Sequence, residues 1–287
     1  MRWALPAAFV LAAATVTAQA PPDLETLLAR VGERIADYYK RAQNVVCTEK
    51  TMVQPVGYDY APRGFARVTE YELRVEADAD DETADAKVVR QLLKVNGKTP
   101  REKDKKDRAG CTDANPLSTE PLAFLLPSHR SEYTFVSGGF GKGKDRNALI
   151  LDFTSAKPEG KGEIAEDPRG HEDCFTWSLP VVVKGRVWVD AVSYQVLRVE
   201  QRMAGMADLS VPAKLQRKHN LENNVVVERH DTTIRYKTIP FNDPDEAMIL
   251  PESIDTLIVV RGGLESMRSR QTFTDYRRFL TAGRIVK

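Results

Sequence analysis

Cysteine and histidine are the scarcest sources of chemistry in this chain, with three cysteines and four histidines in 287 residues. They are not spaced as metal ligands: there is no Cys-x-x-Cys, no closely paired histidines and no His-Glu-x-x-His. Gly-x-Ser-x-Gly and Ser-x-x-Lys are also missing, which removes the serine nucleophiles that carry a local signature. Charge of one sign is lacking too. Lys+Arg total 42 against 41 Asp+Glu, a net of +1, whereas a protein that neutralises nucleic-acid phosphates needs a basic excess. Beyond residue 20 no run of eighteen apolar residues occurs, so no integral membrane segment is expected in the chain that follows. What is present is an ordinary globular balance, 42% hydrophobic and 29% charged, enough to bury a core and too apolar for intrinsic disorder. No metal or cofactor is expected, and the chain reads as a non-enzyme.

The first twenty residues read as an address. Met1-Arg2 supplies a positive start, Ala4 to Val16 is apolar apart from Pro6 and Thr15, and Ala18-Gln19-Ala20 places small residues where a signal peptidase cuts. The expectation is a signal peptide over residues 1–20, a single domain over 21–287, and a periplasmic or secreted destination. Such a compartment is oxidising. Cys111 and Cys174, both in loop-like or strand-edge surroundings, are the favoured disulfide, and Cys47 in the apolar Val45-Val46-Cys47 is expected to be buried.

Residues 23–43 carry a helical period. Leu24, Leu28, Val31, Ile35, Tyr38, Ala42 and Val45 recur at steps of four and three, and Asp23 after Pro21-Pro22 is a natural N-cap. From Asn44 the period becomes two. Strands are expected at 44–54, 65–76, 87–96, 132–138, 147–154, 173–180, 184–191, 195–203, 223–238, 253–261 and 266–276. Ser118 to Leu126 reads as a short helix, capped by Ser118 and ended by Pro127. The connections look like hairpins and no helices alternate with the strands, so the expectation is one antiparallel meander. Alternation in Tyr71/Leu73/Val75, Leu149/Leu151/Phe153, Phe175/Trp177/Leu179, Val187/Val189 and Ile254/Thr256/Ile258/Val260 makes one face apolar. On that parity Trp188 faces away from Val187 and Val189.

Coverage then decides the shape. Eleven strands about 4.8 Å apart extend roughly 50 Å, whereas one helix with its side chains is about 10 Å wide. A flat sheet would leave most of its apolar face wet. A sheet of that length must curl, close or split; the expected fold class is α+β, an antiparallel sheet of about ten or eleven strands curved around one long N-terminal helix, any shortfall in coverage becoming an apolar cavity.

Gly185-Arg186-Val187-Trp188-Val189-Asp190, followed by Val196-Leu197-Arg198-Val199-Glu200, is similar to a hairpin of the LolA/LppX-like group, which includes the outer-membrane lipoprotein-sorting proteins. The exported N-terminus and the opening helix share in the resemblance. Asn44-Val45-Val46-Cys47-Thr48-Glu49, Pro121 to Pro127 and Asp275-Tyr276-Arg277-Arg278-Phe279 resemble segments of exported bacterial proteins to which no activity attaches. Segment 156–172 and the charged loop 98–110 have no counterpart in the sorting proteins' pattern. The resemblance implies a half-barrel whose apolar cavity, between helix and sheet, holds acyl chains. Leu28, Val31, Ile35 and Tyr38 of the helix, with Phe175, Trp177, Val187, Val189, Leu197 and Ile258 of the strands, are the candidate lining. The expected partner is an apolar or lipidated ligand, with envelope proteins as further partners; the competing expectation is an envelope interaction or sensor module whose core its own side chains fill.

Four other segments invite chemistry and are set aside. Gly138 to Asp145 nearly matches a phosphate-binding loop, but Asp145 stands where the hydroxyl should be and a strand follows where a helix is required. His171-Glu172-Asp173-Cys174 would point to alternate sides of an extended chain, so at most two of the four could share one ion. The acidic run in 76–85 and the basic run in 101–108 read as solvated connections.

Overall fold

The computed structural model describes residues 20–42, 45–76, 87–102, 120–145, 147–159, 161–166, 175–242 and 245–278. Residues 1–19 of the expected signal peptide, the Cys111–Cys174 pairing, His171, Ser118 and most of the acidic and basic runs lie outside them. No helix among the described residues is long and apolar enough to cross a membrane.

Helix α1 spans Leu24–Ala42. Asp23 caps it: the Thr26 amide donates to Asp23 Oδ1 at 2.9 Å and the Thr26 hydroxyl to Oδ2 at 2.7 Å. Those two bonds hold the Asp23 carboxyl below its ordinary value. Leu27, Val31 and Ile35, one turn apart, are its most deeply buried side chains. Leu27 sits outside the expected stripe because an apolar face wider than 100° takes two neighbours in one turn, here Leu27 and Leu28.

Thirteen strands follow among the described residues: β1 (Val45–Pro55), β2 (Arg67–Glu76), β3 (Lys87–Val95), β4 (Tyr133–Phe140), β5 (Ala148–Ser155), β6 (Gly162–Glu166), β7 (Phe175–Ser178), β8 (Val183–Asp190), β9 (Val196–Met203), β10 (Ala207–Ser210), β11 (Asn224–Asn242), β12 (Asp245–Arg261) and β13 (Met267–Arg278). A short helix α2 (Glu120–Ala123) precedes β4, and α3 (Ala213–His219) lies between β10 and β11. The eleven expected strands are present. The expected count of about ten or eleven falls short by β6 and β10, which carry one or two inward apolar residues each and leave almost no period to read.

The expected meander also needs correction. The sheet is ordered β3-β2-β1-β13-β12-β11-β9-β8-β5-β4, so the first strand after the helix pairs with the last. β10 pairs with β11 beyond the end of β9, β6 adds to β10 in parallel, and β7 completes this flap. The path begins at β3 and ends at β4 without their pairing, which leaves an open half-barrel on the N-terminal helix.

The flap divides the inner face, the one toward α1, into two halves. Under α1 and α2, Leu27, Val31 and Ile35 pack with Leu73, Leu125, Leu149, Leu151, Phe153, Val187, Val199 and Phe273. Under the flap, Ile164, Leu209, Leu215, Val225 and Val260 form a second core. Arg130 ties α2 to α1, its Nε donating to Leu125 O at 3.0 Å and its Nη2 to Leu28 O. Arg34 Nε donates to Ser193 O in the β8–β9 turn and Arg41 pairs with Glu246 beside the β11–β12 turn, so the helix is pinned at its middle and at its C-terminal end.

Polar side chains are also built into this face. Glu49 is fully buried, and its Oε1 accepts from Thr51 Oγ1 at 2.8 Å, Arg90 Nη2 at 2.8 Å and Gln271 Nε2 at 3.0 Å. Two residues along β1, Cys47 is buried as expected. Burial, with the Glu49 charge in support, pushes its thiol up to about 12. At pH 8 only about one such thiol in ten thousand is ionised. Iodoacetamide should therefore spare Cys47 in the native protein and label it only in step with unfolding in urea, as followed by peptide-resolved mass spectrometry. Rapid labelling without denaturant would place the thiol at the surface.

Candidate ligand-binding groove

The two cores do not meet everywhere. Between them runs a groove of about 250 Å³. Phe124 from the turn after α2, Tyr133 from β4 and Phe153 from β5 make one wall. Leu179, Val181, Val183 and Met203, from the β7–β8 segment and β9, make the other, and Gln201, Arg202, Thr232 and His230 make the floor.

Each wall has a local cause. Phe153 faces inward by alternation with Leu149 and Leu151, and its partner across the β5–β8 ladder is Gly185. A Cβ at Gly185 would collide with the Phe153 ring and with Glu200 O, so the glycine lets that ring lie flat across β8. Phe124 packs on it tilted by 39°, with centroids 4.5 Å apart, and Tyr133 lies 5.4 Å from Phe124. Pro180 breaks the strand between β7 and β8, turning Leu179 and Val181 along the rim. On the floor, Gln201 and Thr232 are cross-strand partners and His230 follows on the same side of β11. Burial lowers the His230 pKa from its ordinary value, so the imidazole is neutral near pH 7, with Asp231 opposing weakly. The result is a carbon-walled slot with a hydrogen-bonding floor that includes one cation, Arg202. It lies just below the roughly 300–1,000 Å³ of typical small-molecule sites.

A second opening lies beside α1, lined by Ile35, Tyr38, Leu122, Val196, Tyr236, Met248 and Ile249 with Arg34 and Arg41 at its rim. It holds only about 40 Å³, close to one water's share of liquid volume. The space directly between helix and sheet is thus nearly filled by the protein itself.

The ten expected lining residues are scattered over four places. Leu28, Val31, Ile35, Val187 and Val189 belong to the core under α1. Phe175, Trp177 and Ile258 pack under the flap. Tyr38 joins Val45, Phe241, Met248 and Leu250, and Leu197 packs on the outer face with Ala148, Ile150 and Trp188. Trp188 does face outward, with the Arg198 guanidinium 3.5 Å above its ring. Ile35 and Tyr38 line the small opening; the larger groove is lined by residues that sequence reasoning did not single out. Of the other segments, Gly138–Asp145 forms the end of β4 and its turn into β5. Among the described residues no three His, Cys, Asp or Glu side chains gather as a metal site.

No protein-family model and no curated protein matches the chain. Solved structures do, among them two that cover most of the chain. One is a domain from Vibrio parahaemolyticus described as an outer membrane lipoprotein-sorting protein domain, at 11% identity over 91% of this chain and 96% of that one, with a TM-score of 0.40. The other is a LolA superfamily protein from Nitrosomonas europaea, at 11% identity over 89% of this chain and 93% of that one, with a TM-score of 0.33. The chain is similar to both in fold.

Proposed function

We propose that this is an exported, non-catalytic binding protein of the bacterial periplasm, and that the groove between the α1 core and the flap takes an apolar chain or lipidated group. The groove itself carries the reading: seven apolar or aromatic side chains face one another across open space where a closed core would have let them touch. Burial is the mechanism. Each Å² of hydrocarbon withdrawn from water contributes about 25 cal/mol, and the floor of Gln201, Arg202, Thr232 and His230 offers hydrogen bonds to an ester, hydroxyl or carboxylate. The signal peptide over residues 1–20 and the single domain over 21–287 belong to the same reading.

Protein purified from its own envelope should carry lipid into native mass spectrometry, and a dansylated fatty acid should bind the lipid-stripped protein. Val181→Trp, which fills the groove from its rim, should weaken dye binding at least about tenfold while leaving the urea midpoint unchanged. An empty protein that binds no dye would sink the proposal and leave the interaction module with a self-filled core. Dye binding indifferent to Val181→Trp would move the ligand out of the groove.

A further inference from the structure

The open sheet has three free edges among the described residues, at β3, β4 and β7. Free edges invite pairing, and proteins blunt them with charge, brevity or bulges. β3 reads Lys-Val-Val-Arg-Gln-Leu-Leu-Lys-Val, with three cations in nine residues. β7 is only four residues long. β4 is Tyr-Thr-Phe-Val-Ser-Gly-Gly-Phe, eight residues without a charge. Its one protection is the register shift between Ser137 and Gly139, which spoils the second half and leaves Tyr133–Ser137 straight.

The direction of the free groups follows from the ladder. Ala156 N–H donates to Glu132 O at 2.6 Å, so Glu132, Thr134 and Val136 bond toward β5 while Phe135 and Ser137 turn their amides to the open edge. The Tyr133 amide is taken by Arg130 O in the preceding turn. On the outer face Val136 stands 59% exposed, a β-branched side chain at an uncovered edge.

We propose that β4 pairs antiparallel with β4 of a second copy, about a two-fold axis through Phe135. In that register Phe135 exchanges both backbone bonds with its copy, and each Ser137 amide donates to the other chain's Tyr133 carbonyl. Thr134 meets Val136 on the outer face. Glu132 and Arg130 fall opposite Gly138 and Phe140, so no like charges meet, and both bulges lie outside the paired stretch. This self-complementarity is what selects a second copy as the occupant. The short edge makes the association weak and concentration-dependent. Tyr133 is also a wall of the groove, so pairing would set two grooves side by side on one continuous inner face. The pairing stands whether or not the groove binds lipid.

Sedimentation velocity across about 1–500 µM, the regime of small interfaces, should show mass rising from monomer toward dimer. Val136→Lys and Val136→Glu should each weaken the dimer by about tenfold or more, because the two introduced charges lie diagonally, roughly 7–8 Å apart. Mixing the two variants should restore a heterodimer. A wild-type chain that stays monomeric throughout, a dimer untouched by Val136→Lys, or variants that fail to complement would each overturn the proposal. The first outcome with a foreign peptide bound on β4 would assign the edge to another protein's strand.

Discussion

Glu49→Ala should cost about 3–5 kcal/mol of folding stability, the range for removing one partner of a buried ion pair. It would show as a lower urea midpoint with an unchanged slope. Glu49 is fully buried and Arg90 nearly so, the Arg90 side chain being 14% exposed. One carboxylate oxygen takes hydrogen bonds from Arg90, Thr51 and Gln271, which belong to β3, β1 and β13. Alanine at this position leaves a guanidinium, a hydroxyl and an amide facing a hole in a region of low dielectric, and water enters only by opening the sheet.

The same cluster distinguishes an energetic role from a geometric one. Replacing both charges with carbon of similar volume, Glu49→Leu with Arg90→Met, should give a protein more stable than either single variant, since the desolvation cost of both ions disappears together. If Glu49→Ala costs less than about 1 kcal/mol, the carboxylate is not held in the interior. Glu49 sits one inward position from Cys47, so its loss should also bring the Cys47 thiol down from about 12, because the larger of the two charges that raise it, after burial itself, is removed.

The sequence announced most elements through period alone. Leu149, Leu151 and Phe153 alternate cleanly because one side of β5 meets the core, and the seven-residue steps of α1 show for the same reason. β6, β10 and α3 escaped because they have little to alternate. In Gly162–Glu166 a single isoleucine faces the core, and α3 buries only Leu215. Nothing in Val45–Pro55 says that its neighbour is the last strand, since register across more than 200 residues leaves no local mark. The groove is the hardest part to read. An inward apolar side chain has the same pattern whether a helix covers it, as at Val187, or open space does, as at Val183. Leu179 was legible as an inward residue of the Phe175/Trp177/Leu179 alternation, whereas Val181 fell between two expected strands. They gain meaning once the flap folds back to face Phe124 and Tyr133.

Phe273→Ala should lower stability by about 3–5 kcal/mol, as large-to-small changes at buried aromatics do, against the roughly 5–15 kcal/mol that holds a domain folded. Phe273 lies on β13 opposite Glu49 on β1, at the seam where the beginning and end of the chain are joined, and it is fully buried in the core under α1. Its loss opens a hole behind the Glu49 cluster, so the two substitutions should not add. A Phe273→Ala/Glu49→Ala protein should depart from the sum of the singles by about 0.5–3 kcal/mol. Strict additivity would mean that the two sites are independent and that β1 and β13 are not neighbours here. The groove offers a separate check, because Phe273 does not line it. At temperatures where Phe273→Ala is still folded, dye affinity should equal that of the parent, whereas Val181→Trp reverses the pattern with stability kept and affinity lost.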